Sequence, residues 1–224
     1  MSALPVPQVA KDIISKIENF SSVLLLSESE RKLALDLNFI GQLAQMNPDL
    51  QFSDFLDFIH KAQLTGADPR RGQIHLVTFR KNLARKGQAD KWVTKAQAIF
   101  SYHFFISKAE ASGNYDGHKV VTEVINHYDP WSGEERRTIC ATCTVFKKSG
   151  REEIYSARLP EFAKLNKDGN PTEAWLTKPY LMLEKCAIAN ALRKAFPDQL
   201  TGCYMREEIE DESSQTLEVI SFSK

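Results

Sequence analysis

Residues 178–196 read KPYLMLEKCAIANALRKAF. At 100° per residue, Leu181, Ile188, Leu192 and Ala195 fall on one side of a helix, a face that must pack against another element. Lys178, Met182, Lys185, Ala189 and Arg193 form a neighbouring stripe, with Lys185 and Arg193 about 12 Å apart by helical rise. Such a stripe suits an approach to a phosphate backbone, with Ala189 leaving room and the long side chains reaching out. It equally suits an ordinary amphipathic helix with basic shoulders. Pro179 is compatible with the first turn and Pro197 stops the helix.

The partner for that helix is written just upstream. Residues 118–128, 138–147 and 153–159 alternate as strands do, and Asp129-Pro130-Trp131-Ser132-Gly133 and Lys148-Ser149-Gly150 punctuate them as turns. They read as an antiparallel meander. Residues 73–80 form an earlier strand, followed by a polar loop, a short strand at Trp92-Val93 and a helix over about 95–109 opened by Thr94. Further back, Val9, Ile13, Ile17, Phe20 and Leu24 make a helical stripe over about 8–25. Ser27 with Glu30 forms a capping box for a second helix reaching to about Met46, and a third covers about 53–64, ending at Gly66. The expected class is α+β: N-terminal helices, a small antiparallel sheet with a crossing helix, and a long basic C-terminal helix. The expected organisation is N-terminal helices over 1–46 that complete the core or pack subunits, a core over 47–205 and an acidic, flexible tail over 206–224.

The chain has 224 residues, with 29 basic and 29 acidic side chains. That zero net charge is a sum of opposed blocks. Residues 1–69 carry 5 basic and 9 acidic residues, 70–108 carry 9 and 1, 109–135 carry 1 and 6, 136–205 carry 12 and 7, and 206–224 carry 2 and 6. The body to residue 205 is therefore +4 and the tail −4. The stretch at 70–108 attracts polyanions if its cations share a surface. The longest apolar run near the start, 23–26, is far too short to span a bilayer, and residues 1–7 lack a secretory pattern. A cytoplasmic protein without membrane association is expected. Four cysteines suit a reducing compartment better than a disulfide scaffold.

Catalytic signatures are missing. There is no Gly-x-x-x-x-Gly-Lys-Ser/Thr loop for nucleotide phosphates and no Gly-x-Ser-x-Gly elbow. Cys140 and Cys143 have metal-like spacing but sit on a strand, where residues three apart face opposite ways. Asp116 with His118 and His127 with Asp129 leave open a metal-dependent nuclease, although each pair lies beside turn residues.

The wording of the last helix is recognisable beyond its spacing. Residues 182–187 (MLEKCA) and 191–197 (ALRKAFP), followed by Leu200, Gly202 and Tyr204, closely resemble the Bet/RecT family of phage single-strand annealing proteins. Residues 64–69 (LTGADP) with 73–77 (QIHLV) resemble that family's helix, turn and first strand. Residues 143–148 (CTVFKK) resemble its basic strand and turn, and Trp175 before Lys178-Pro179 its tryptophan entering the final helix. The resemblance spans about 45–205.

It implies a protein that is not an enzyme, needs no nucleotide cofactor, coats single-stranded DNA and promotes its pairing with a complementary strand. The expected phosphate contacts are Arg70, Arg71, Arg80, Lys81, Lys95, Lys147, Lys148, Arg151, Lys178, Lys185 and Arg193, with Trp175 bracing the groove or touching the strand. The resemblance also implies rings or helical filaments, the annealed duplex as product, and a 5′-to-3′ exonuclease and the host single-strand-binding protein as partners. On the residues alone, a DNA- or RNA-binding module without annealing activity and a metal-dependent nuclease are the rival readings. The acidic run 207–212 reads as a solvated tail or as a competitor with DNA for the basic groove.

Overall fold

A computed structural model describes residues 7–19, 27–34, 36–46, 50–82, 92–129, 133–166 and 169–209. The chain divides into two compact units, 1–99 and 100–224.

In the first unit, α1 (Gln8–Asn19) buries Ala10, Ile13 and Ile17, three positions on one helical stripe. Phe20 and Leu24 of that stripe lie outside the described residues. Ser27 and Glu30 form the expected box: the Ser27 N–H donates to Glu30 Oε2 at 2.7 Å, and the Glu30 N–H donates to Ser27 Oγ at 3.3 Å. The helix they open is shorter than the periodicity predicts. It splits into α2 (Glu28–Ala34) and α3 (Leu37–Met46). Asp36 starts α3 by accepting the Phe39 N–H at 3.2 Å on its carboxylate and the Ile40 N–H on its carbonyl at 2.9 Å. An Asx cap inside an apolar repeat thus restarts the helix, as these side chains do by competing for backbone donors.

Helix α4 (Phe52–Thr65) buries Phe55, Phe58, Ile59 and Ala62 and ends at Gly66, whose φ of 65° few other residues adopt. Phe58 stacks against Phe39 of α3 with centroids 6.3 Å apart. A 3-10 turn, Pro69–Arg71, leads into β1 (Ile74–Asn82), which pairs with β2 (Trp92–Phe100). The expected helix over 95–109 is therefore a strand up to Phe100. Lys95, Ala96, Gln97 and Ala98 are good helix formers, but pairing with β1 overrides a preference of a few tenths of a kcal/mol per residue.

The second unit holds α5 (Tyr102–Ala111) and a three-stranded antiparallel sheet of order β3 (Tyr115–Asp129), β4 (Glu134–Lys147), β5 (Glu152–Arg158). Thr142 sits opposite Val121 on one side and Ser156 on the other. Alternate residues of β4, Ile139, Ala141, Cys143 and Val145, are buried. Short helices α6 (Leu159–Phe162) and α7 (Glu173–Thr177) lead to α8 (Pro179–Ala195), which packs on β4, β5 and α5, and to α9 (Pro197–Leu200).

The buried set of α8 is Leu183, Cys186, Ala187, Ile188, Ala189, Ala191, Leu192 and Ala195. This corrects the expected faces in two places: Leu181 is 46% exposed, and Ala189 is fully buried. Two members of the stripe, Lys185 and Arg193, lie against the Tyr102 and Phe105 rings of α5, and Ala189 between them is closed off rather than open to a strand's backbone.

Candidate nucleic-acid interface

The cations read from the sequence fall into distinct settings. Lys147, Lys148 and Arg151 sit on the β4–β5 hairpin, where the chain reverses through Gly150 at φ 80°. This turn is held on four sides. The Lys147 N–H donates to Arg151 O at 3.0 Å, and the Gly150 N–H to Lys147 O at 2.8 Å. From the start of the neighbouring strand β3, Asn114 accepts the Lys148 N–H on its carbonyl at 2.9 Å and the Ser149 N–H on Oδ1 at 3.2 Å. Lys148 and Arg151 are exposed on this fixed support. Lys147 is half-buried, its Nζ 5.3 Å from the centroid of the Phe196 ring, which ties the hairpin to the C-terminal end of α8.

That end carries Arg193 and Lys194 in its last turn, where the helix dipole favours cations. Lys194 is exposed, 3.4 Å from Glu153. Lys178, also exposed, caps the other end of α8, about 25 Å away by helical rise. Between them Lys185 is half-buried, with Nζ 5.7 Å from the Tyr102 ring centroid.

Arg193 is set differently from the rest. Its Nε donates to Cys203 O at 3.0 Å and its Nη1 to Asn190 Oδ1 at 3.0 Å. Nη1 and Nη2 grip the two carboxylate oxygens of Glu208 at 2.7 and 2.6 Å. The guanidinium carbon is 5.4 Å from the Phe105 ring centroid and 5.1 Å from that of Tyr204. Only 18% of the Arg193 side chain and 9% of the Glu208 side chain is exposed. The start of the acidic tail, expected to be flexible, is therefore folded: Arg206–Glu208 form a 3-10 turn, the Met205 N–H donates to Glu208 Oε2 at 2.9 Å, and Lys164 Nζ donates to Ile209 O at 2.8 Å.

Trp175 is 4% exposed. It is buried on α7, which packs on α8. In the first unit, Arg70 and Arg71 are exposed on the 3-10 turn, each within 3.7 Å of Asp68. Arg80 and Lys81 lie on β1 and Lys95 on β2, and their side chains are outside the described residues. Sequence reasoning missed Lys194, Lys164, Asn190 and the acceptor Glu208. Lys194 was visible as a cation beside Arg193. Asn190 lies one helical turn before Arg193, a spacing the helix itself reports, whereas Glu208 and Lys164 reach their partners across 15 and 45 residues, which no periodicity reports.

Among the described residues, no three His, Cys, Asp or Glu side chains gather as metal ligands would, and no helix is long and apolar enough to cross a membrane. His118 Nδ1 shares a 2.5 Å hydrogen bond with the Tyr115 hydroxyl, and burial lowers its pKa, favouring the neutral ring. All four cysteines are free and buried. Burial lifts the thiol pKa of Cys143 and of Cys203 to about 11 and that of Cys186 higher still, so none is poised as a thiolate nucleophile.

An antiparallel sheet backed by one helix, with a rigid basic hairpin at the helix end, defines an α+β protein whose surface suits a polyanion. The chain belongs to the RecT family, whose profile matches residues 36–220. No curated protein sequence matches it. Membership supports a role in DNA recombination through the binding and annealing of single strands.

Proposed function

We propose that this protein binds single-stranded DNA along the basic hairpin and the ends of α8, and anneals it to a complementary strand without nucleotide hydrolysis. The observation that carries the reading is the family match over residues 36–220. The fixed hairpin supplies a physical site, because Lys148 and Arg151 face solvent on a backbone anchored to Asn114.

The physics asks for cations and positioning. Two polyanions repel, and lysine and arginine along a surface offset that repulsion by displacing counterions, without reading sequence. Lys148, Arg151, Lys178 and Lys194 are the cations of the second unit best placed to do this, and Arg70 and Arg71 those of the first. One copy has few such contacts, so stable annealing calls for many copies along a strand, as a ring or filament. A 5′-to-3′ exonuclease is the class of enzyme that exposes the strand bound.

Two complementary oligonucleotides, one labelled to report pairing, test the proposal when mixed with the protein in the absence of ATP, with and without Mg²⁺. Pairing faster than in protein-free buffer is expected. Binding without acceleration would reduce the protein to a nucleic-acid-binding module, and cleavage of labelled DNA in Mg²⁺ or Mn²⁺ would replace the reading with a nuclease. Sedimentation with and without DNA tests assembly: complexes that grow with strand length are expected, and a monomer under both conditions overturns the oligomer.

A further inference from the structure

The groups around Arg193 come from two sources. Phe105 on α5 and Asn190 on α8 belong to the body of the unit. The Cys203 carbonyl, the Tyr204 ring and the Glu208 carboxylate all belong to the segment that follows α9. Removing that segment alone would leave a guanidinium backed by an aromatic ring and steadied by one amide, with its fork open. A fork in this state fits two oxygens of a phosphate as it fits two oxygens of a carboxylate.

Other contacts make the segment a defined strap. The Phe100 N–H donates to Tyr204 O at 2.9 Å, the Met205 N–H steadies Glu208, and Lys164 holds Ile209 O. Glu208 thus brings a carboxylate to a cation that the rest of the unit presents. In sequence, Glu207 precedes it and Glu210, Asp211 and Glu212 follow, so the strap belongs to an acidic stretch of the chain.

We propose that residues 203–209 are an internal anion strap in which Glu208 occupies the Arg193 fork as a stand-in for a DNA phosphate, and that single-stranded DNA exchanges the carboxylate for a phosphate. The inference rests on the single-strand-binding function proposed above and adds its regulation. The strap sets a threshold: weak or short polyanions leave the fork closed, and a strand already held by Lys148 and Arg151 competes for it at high local concentration.

The test is binding of a labelled oligo(dT) to the full-length protein by fluorescence anisotropy over a salt series, with folding checked by circular dichroism. Glu208→Gln keeps the side-chain size and removes the charge that competes. It is expected to tighten binding several-fold at low salt and to steepen the log–log salt dependence by about 0.7, the value for one further single-strand phosphate contact. Glu208→Asp, which keeps the charge but shortens the reach, is expected to fall between parent and Glu208→Gln, and it serves if the latter does not fold. Adding Arg193→Ala to Glu208→Gln should abolish the gain. Glu207→Gln makes the same charge change away from the fork and should leave affinity near the parent's.

Unchanged or weaker binding by both Glu208 variants, with the parent binding normally, overturns the strap and leaves the binding function standing. An equal gain from Glu207→Gln also overturns it, since diffuse repulsion then suffices. Failure of the parent and every variant to bind overturns the function itself and the strap with it.

Discussion

Arg193 spends four hydrogen bonds inside the chain, on Cys203, Asn190 and both oxygens of Glu208, of the five N–H donors a guanidinium has. Breaking a largely buried ion pair from one side leaves the other charge without compensation, which costs about 3–5 kcal/mol. Arg193→Ala is therefore expected to lower the unfolding free energy by about 3 kcal/mol in urea titrations. Arg193→Lys should recover part of the loss, since it keeps the charge but lacks the planar fork. The helix position of Arg193 was legible from spacing in residues 178–196. Its partner was not, because Glu208 lies fifteen residues on and reads in sequence as one carboxylate in an acidic run. The cysteines carry a second expectation at this scale. With all four buried and the Cys143 and Cys203 thiols raised to about 11, a disulfide reagent at pH 8 should titrate almost none of them in the folded chain and four in urea. Fast native reaction of any one would show that its covering opens readily.

Elements fared unevenly, and the reasons are local. The meander β3–β4–β5 was readable because alternation and turn residues agree, and α4 because an apolar stripe ends at a glycine able to take φ 65°. Past Val93 the composition of β2 favours helix, and the pairing with β1 that makes it a strand is a tertiary fact. The capping box of α2 was legible down to its residues, and it has a pH signature. Folding holds the Glu30 carboxyl below the usual carboxylate range, first through the Ser27 hydroxyl, against the opposing effect of burial. His60 Nδ1 lies 2.7 Å from Glu30 Oε1 and works in the same direction. A carboxyl depressed by folding contributes stability that is present above its unfolded pKa and lost as pH falls through the folded value. Glu30→Gln should therefore lower the urea midpoint at pH 7, and the gap from the parent should close as pH drops below about 4. A gap of constant size down to pH 3 would mean that the carboxyl's ionisation contributes nothing. Ser27→Ala, which removes the hydroxyl from the same box, is expected to cost about 1 kcal/mol.

At the scale of the whole molecule, a formal charge of zero would predict indifference to DNA if charges acted as a sum. They do not, because the Debye length at physiological salt is about 8 Å, and a strand lying on the hairpin of the second unit feels the cations near it. Lys148 and Arg151 are exposed there with no ion pair for either among the described residues, while Glu135, at the other end of β4, lies about 40 Å from Lys147 by strand rise. Affinity for an oligonucleotide should thus fall linearly on a log–log plot against salt, as counterion release requires. Replacing both Lys148 and Arg151 by alanine should flatten that slope by about 1.4, two single-strand phosphates at about 0.7 each, and leave stability within about 0.5 kcal/mol, as for surface changes generally. The comparison that separates local from global charge is Glu135→Gln, an exposed position at the far end of β4. It raises the net charge by one and should leave the slope unmoved. If Glu135→Gln shifts affinity as strongly as the hairpin variant, net charge governs binding and the hairpin loses its claim as the site. If only the hairpin variant shifts it, the block structure of the sequence has become a surface with one working face.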